Sequence, residues 1–529
     1  MSFSRLIDMH THFFNNNFLP IGELMRHNWG LPRKTALTLG EIFNNLTGRP
    51  MPEPYTDDDE WLGLAAREED SDFYAKVLTA LIQETLRSDD FWQDSGDSGW
   101  GPEQLLEAIK VLVKIYCQET GQEFDGERLV SALRRANQED ATNQDRQQLD
   151  EAWEKLLAAL KHHLRRVKGS IAFLIKMISS MDTLRRYLLD ENYHKDNAPC
   201  LTIHIAMDME PAYWERNDPC STVPPKCVFF SDQSGEPDQI EVYAKHLPLA
   251  DGRLLGLVNF HPRRGEEGLE RCWKALQKGN IGFKLYPPMG FRGDDYDRFP
   301  VLKLLYERCQ EQGVPIVAHC RTGEVQAWKG TGRNADPDHW IRVLDEFPDL
   351  RFCFAHAGGG RDTYYRDDCE EQKVQGWYSD EQQWQEDSCY PRKVMEHCIS
   401  RPHVYTDMSY LHELINNKDN KRELFVANLL KGAGQGAAYP IFDKIIYGSD
   451  WHMNGLIGRT QKYYETFKDI FHDNQFGQDN ADKFFFRNAV AFLNLPGYLD
   501  RDEAADEPFL SEAARDHLRA IINMAQQES

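Results

Sequence analysis

Eight short runs of apolar and β-branched residues punctuate the chain, most closing on a polar side chain, at residues 5–10, 200–208, 254–261, 281–286, 314–319, 350–356, 403–408 and 444–450. Runs of this length predict buried strands, because a strand covered on both faces loses the strict alternation of a half-exposed one. Between them the apolar spacing changes to three and four, at 267–278, 300–312, 337–346 and 391–399, which is the period of a helix with one buried stripe. Strand and helix therefore alternate from residue 200 onward. That order predicts a parallel sheet covered by helices, and eight strands predict an α/β fold of the (β/α)8 TIM barrel type.

One spacing breaks the alternation, since the first strand ends near residue 12 and the second begins near 200. Helical periodicity fills part of the gap at 72–89, 103–120, 127–137 and 145–167, with Leu105, Leu106, Ile109, Leu112, Val113 and Tyr116 on one stripe. The expectation is a barrel over 1–13 and 200–496, a helical insertion over 14–199 after strand one, and a C-terminal helical extension over 497–529. Further helical patterns at 460–472, 480–495 and 510–526 would pack against the barrel wall.

Charge narrows the partners: 61 Lys and Arg against 85 Asp and Glu give a net charge of −24 over 529 residues, and no local basic cluster offsets it. Polyanions are repelled by such a chain, so nucleic acid is disfavoured as a partner. Eleven cysteines, an odd number without a Cys-x-x-Cys pair, read as reduced thiols. The start of the sequence has no apolar leader with a cleavage site, and no run is long enough to span a bilayer. These features predict a cytoplasmic protein with a small-molecule substrate and no membrane partner, and leave a homo-oligomer open.

The candidate chemistry lies at strand ends. His10 and His12, one residue apart, share a face of strand one because side chains alternate with a period of two. His319, His356 and Asp450 end strands five, six and eight. Barrel closure gathers those ends at one rim, where reactive groups of this fold sit. Imidazoles with a carboxylate and no thiolate suit a divalent ion, Zn²⁺ first and Mn²⁺, Fe²⁺ or Co²⁺ after it. Each residue alone is weak evidence, and their joint placement carries the reading.

The motifs Ile7-Asp8-Met9-His10-Thr11-His12, Gly282-Phe283-Lys284-Leu285-Tyr286-Pro287-Pro288, Pro315-Ile316-Val317-Ala318-His319, Phe354-Ala355-His356-Ala357-Gly358-Gly359 and Tyr447-Gly448-Ser449-Asp450 together resemble the amidohydrolase superfamily. The resemblance is to its amidohydrolase-related branch, which includes aminocarboxymuconate semialdehyde decarboxylase, and Arg487 to Leu493 resembles the family's closing helix. It implies a metal held by His10, His12, His319 and Asp450, with His356 completing the shell or facing the substrate. Asp450 would take the proton of a metal-activated water, and His356 would steady the oxyanion or orient that water. In other branches a lysine at the place of Lys284 is carboxylated and bridges two metals. In the branch resembled here it is not a ligand, so Lys284 reads as a cation for a substrate carboxylate, against an ordinary buried ion pair. Arg321, Trp451 and His452 lie one or two residues past proposed ligands and are candidate substrate contacts. Asp208 and Asp407 read as loop caps, and His204 and His261 as structural histidines.

The activity implied is metal-dependent hydrolysis of a C–N or C–O bond in a small carboxylated molecule. Non-oxidative decarboxylation or hydration would reuse the same ligands. A deoxyribonuclease of the TatD kind would be expected to carry glutamate where this chain has Lys284. A non-catalytic scaffold with a vestigial metal site is the alternative from a different class.

Overall fold

A computed structural model describes residues 5–15, 18–19, 21, 25, 31–47, 71–88, 102–135, 142–164, 177–213, 228–231, 238–322, 325–328, 330–360, 362–365, 371–434, 437–451 and 460–527. Eight strands form one all-parallel sheet: β1 (Ile7–Thr11), β2 (Leu201–Ile205), β3 (Leu254–Asn259), β4 (Asn280–Leu285), β5 (Ile316–His319), β6 (Phe352–Ala355), β9 (Val404–Asp407) and β10 (Ile445–Ile446), adjacent in that order. A separate antiparallel hairpin, β7 (Asp362–Tyr365) and β8 (Glu371–Val374), stands in the connection after β6. The first and last strands of the sheet meet through two backbone hydrogen bonds, Met9 N–H to the Tyr447 carbonyl at 3.1 Å and Asp450 N–H to the His10 carbonyl at 2.7 Å. These close the barrel.

Register explains why the polar residues gather at one end. Lys284 pairs with Val317, Val317 with Cys353, and Cys353 with Tyr405, so these four share a face. Val317, Cys353 and Tyr405 belong with Ile7, Ile203, Leu257, Ile281 and Ile446 to one apolar cluster that continues into Phe486, Phe492, Leu518 and Ile521 of the C-terminal helices. Two residues further along, the same face presents His319 on β5 and Asp407 on β9. The barrel interior is thus apolar toward the start of its strands and polar at their ends. The alternate strand residues, such as Leu254, Phe283, Ile316 and Phe352, pack outward with Leu269, Leu302 and Leu305 of the surrounding helices.

Between β1 and β2 the chain is helical wherever it is described as regular: Arg33–Leu46, Ser71–Arg87, Pro102–Thr120, Gly126–Arg134, Asn143–Leu164 and Met181–Arg186. Their buried faces, with Leu39, Leu81, Ile109 and Leu156, join the same core as Phe13 and Phe14 at the end of β1, so the helical layer and the barrel wall share apolar packing. No helix among the described residues is long and apolar enough to cross a membrane.

Candidate functional site

Pairing between β1 and β2 slips between Asp8 and Thr11. Such a bulge re-aims side chains that strict alternation would keep together. Asp8 turns to the Ser449 hydroxyl at 2.6 Å, the Ser449 N–H at 2.8 Å and the Tyr193 hydroxyl at 2.6 Å. That buried network ties β1 to the turn carrying Asp450 and to the end of the helical layer. Burial pushes the Asp8 carboxyl up to about 6, against the pull of its hydrogen bonds.

His10 and His12 converge as the sequence spacing predicts. Their ring centroids are 5.4 Å apart, and His12 Nε2 lies 3.6 Å from Asp450 Oδ1. Ligand atoms of His10, His12 and Asp450 all fall within 4.8 Å of one another, in a buried cluster. The structure therefore brings together three of the four proposed ligands drawn from opposite ends of the chain. His319 adjoins the group through His356, whose Nε2 is 3.1 Å from His319 Nδ1, and the His356 ring centroid is 4.5 Å from that of His10. Two nitrogens, His10 Nε2 and His319 Nε2, are buried without a hydrogen-bond partner. Burial drives His12 down to about 3 and holds His10, His319 and His356 well below the usual imidazole range, with the Lys284 charge adding to the effect. Neutral imidazoles are the form that ligates metal.

Lys284 is wholly buried with no hydrogen-bond partner for its ammonium. Burial lowers it to about 8, while Asp407 and Asp450 favour its charge. Backbone conformation is unusual around the same point. His356 (φ 61°), Ala357 (φ 49°), Tyr410 (φ 55°) and Asp450 (φ 49°) all occupy the left-handed region, which costs non-glycine residues free energy and collects at functional sites.

The remaining candidates fall at the rim. The Arg321 guanidinium lies 4.4 Å over the Tyr410 ring, and the Tyr286 ring stacks on His319 at 4.1 Å. The Trp451 indole N–H donates to the His12 carbonyl at 2.6 Å and its ring packs near Tyr187, so Trp451 supports the wall from behind. His452 lies outside the described residues. Away from the centre, Asp208 is held by Arg264, His204 accepts the Phe13 N–H at 2.8 Å, and His261 caps a short turn by accepting the Arg263 N–H at 3.2 Å. A further group, Glu119, His162 and His163, lies on the helical layer with its glutamate exposed.

Sequence reasoning missed the reach of Asp407. It does cap backbone, accepting the N–H groups of His356 at 3.0 Å and Ser409 at 3.1 Å, but its other oxygen takes the His10 Nδ1–H at 3.0 Å. Ser409, two residues on, was not singled out, although its hydroxyl lies 2.8 Å from His356 Nδ1. A strand-terminal aspartate facing the histidine strands was the available signal.

The sequence model of the amidohydrolase family matches residues 235–495. Over that span, just under half of the chain, the sequence is similar to the amidohydrolase family. No curated protein matches it. Among solved structures, a probable 2-pyrone-4,6-dicarboxylic acid hydrolase from Acinetobacter baumannii, crystallised with citric acid, is 10% identical over 56% of this chain and 84% of its own, with a TM-score of 0.34. A putative enzyme of the same description from Pseudomonas putida is 14% identical over 60% of this chain and 87% of its own, TM-score 0.36. A uronate isomerase from Bacillus halodurans is 12% identical over 90% of this chain and 100% of its own, TM-score 0.33. At these scores the architecture of the chain rests on its own strand order.

Proposed function

We propose that the chain is a metal-dependent hydrolase acting on a C–N or C–O bond of a small carboxylated substrate. The observation that carries this reading is the buried convergence of His10, His12 and Asp450 within 4.8 Å, beside unpartnered His10 Nε2 and His319 Nε2. Histidine nitrogens kept neutral by burial, together with one carboxylate, fit a divalent cation of the Zn²⁺ or Mn²⁺ type. His10, His12, His319 and Asp450 would hold it. When bound, such an ion supplies Lewis acidity and brings the pKa of water toward about 7.

The protein's own groups account for the rest. Asp450 accepts the proton of the attacking water and returns it to the leaving atom, a shuttle that needs a carboxylate at the centre's edge. Lys284 offers a fixed positive charge, in a low-dielectric setting, to a substrate carboxylate or developing oxyanion. Arg321, its guanidinium 4.4 Å from the centre of the Tyr410 ring, offers a planar fork for a second carboxylate at the rim. The segment 14–199 is read as an insertion that walls the rim, through Tyr187 beside Trp451.

Metal analysis tests the reading first. The purified chain is expected to carry about one equivalent of Zn²⁺ or Mn²⁺ per protomer. His10→Ala and Asp450→Asn are expected to lose both the ion and hydrolysis of a panel of small carboxylated lactones and amides, with circular dichroism unchanged. Failure to bind either ion, or near-wild-type turnover in either variant, overturns the assignment. Release of CO₂ in place of amine or acid would move the chemistry to a lyase on the same donors.

A further inference from the structure

We propose that Asp407 and Ser409 are positioning residues that set the tautomer of the histidine cluster through two branches, so that His10 and His319 each present a lone pair on Nε2 and His356 is a relay member. The inference rests on the metal-site reading only for its consequence; the proton positions follow from hydrogen bonds alone.

Asp407 Oδ1 accepts two backbone N–H groups, from His356 and Ser409. A backbone N–H can only donate, so Oδ1 is an acceptor atom and the Ser409 hydroxyl beside it must spend its proton there. The Ser409 oxygen can then only accept from His356 Nδ1, 2.8 Å away, which fixes the proton of His356 on Nδ1. His356 Nε2 is left with its lone pair and faces His319 Nδ1 at 3.1 Å. Two nitrogens at that distance share one proton, so His319 carries it on Nδ1 and frees Nε2. Burial keeps both rings neutral, in agreement. The second branch is shorter: Asp407 Oδ2 takes the His10 Nδ1–H at 3.0 Å, which frees His10 Nε2. Both nitrogens left bare by this count, His10 Nε2 and His319 Nε2, are among the buried polar atoms without a hydrogen-bond partner. His12 reaches the same state independently, donating Nδ1–H to the Ile205 carbonyl at 2.9 Å. His356, with both nitrogens engaged, has no lone pair to spare for an ion.

Nuclear magnetic resonance of the metal-free full chain, with ¹⁵N-labelled histidine assigned by single His→Gln substitutions, tests this directly. All four rings are expected in the Nδ1–H form. Ser409→Ala is expected to flip His356 and His319 to Nε2–H while His10 and His12 keep Nδ1–H, and to weaken Zn²⁺ affinity, measured by chelator competition, by about 10- to 100-fold. Ser409→Thr, which keeps the hydroxyl, is expected to restore both. An Nε2–H form for His356 or His319 in the wild-type chain, or Ser409→Ala with unchanged tautomers, overturns the relay. A wild-type chain with the expected tautomers that binds no Zn²⁺ overturns the hydrolase reading and leaves the relay standing.

Discussion

Lys284 is the residue where burial and chemistry oppose each other most. An ammonium out of water without a hydrogen-bond partner is costly, and the cost is visible as a pKa brought down to about 8. Between pH 8 and about 10.5 the unfolded chain holds a proton here that the folded chain has released, so folding stability rises with pH across that window. The shift corresponds to a penalty on the order of 3 kcal/mol below pH 8. Lys284→Met removes the charge and is expected to be more stable than wild type at pH 7, with a flatter stability profile between pH 8 and 10 in urea titrations. If the charge is retained to hold a substrate anion, the same variant should raise KM for a carboxylated substrate by about 10- to 100-fold with metal content intact. Loss of metal would instead make the lysine part of the metal shell. An unchanged KM would remove it from substrate binding.

Elements were readable where the signal was local. The eight apolar runs lie on the eight barrel strands because a strand buried on both faces must be apolar along its length, and the helices at 102–120 and 143–164 were visible as stripes. Helix Arg33–Leu46 and the β7–β8 hairpin were not read, and the bulge in β1 could not be, since it depends on how β2 pairs. The same limit applies to the centre. Ligand-type residues showed in the sequence, but which nitrogen of each carries the proton is decided by Asp407 and Ser409 on another strand. Closure of the barrel is a tertiary feature of this kind, and Gly448 makes it. A Cβ there would stand 2.8 Å from His10 Cβ and 3.3 Å from Ser409 Cβ, both in the centre itself. Gly448→Ala is therefore expected to push β1 off the last strand, destabilise the fold by about 1–3 kcal/mol, and lower Zn²⁺ content more than that loss alone explains. Calorimetry alongside metal analysis separates the two effects, and a variant with wild-type metal content would mean that the seam relaxes without moving His10.

At the scale of the whole molecule, the buried histidines dominate the response to acid. His12 and His261 are held near 3, and His10, His204, His319 and His356 lie well below their ordinary range, all by burial. The unfolded chain protonates each of them near pH 6.5, so below that pH it binds protons the folded chain refuses, and stability falls as pH falls. Asp8, Asp208 and Glu210 act in the opposite sense, because burial raises their carboxyls and the folded chain protonates them first. With His397, also brought down by burial to about 4, the lowered histidines outnumber the raised carboxyls by several protons, each worth about 1.4 kcal/mol per pH unit while it titrates. Against a total stability on the order of 5–15 kcal/mol, that slope is enough to unfold the metal-free chain within a few units below pH 6.5. A bound ion should oppose this only while its ligands stay deprotonated. Zn²⁺ at a hundred times its Kd is worth about 2.7 kcal/mol, and because burial keeps the ligand imidazoles neutral in the folded chain the gain should persist below pH 6. His261 separates fold from site, since it lies apart from the proposed ligands, capping a turn and donating to the Met289 carbonyl. His261→Gln is expected to flatten the acid limb by about one proton while leaving the Zn²⁺ increment at pH 7 unchanged. Equal melting temperatures for the metal-free wild type at pH 7 and pH 5 would mean that those imidazoles are not held neutral in the folded chain.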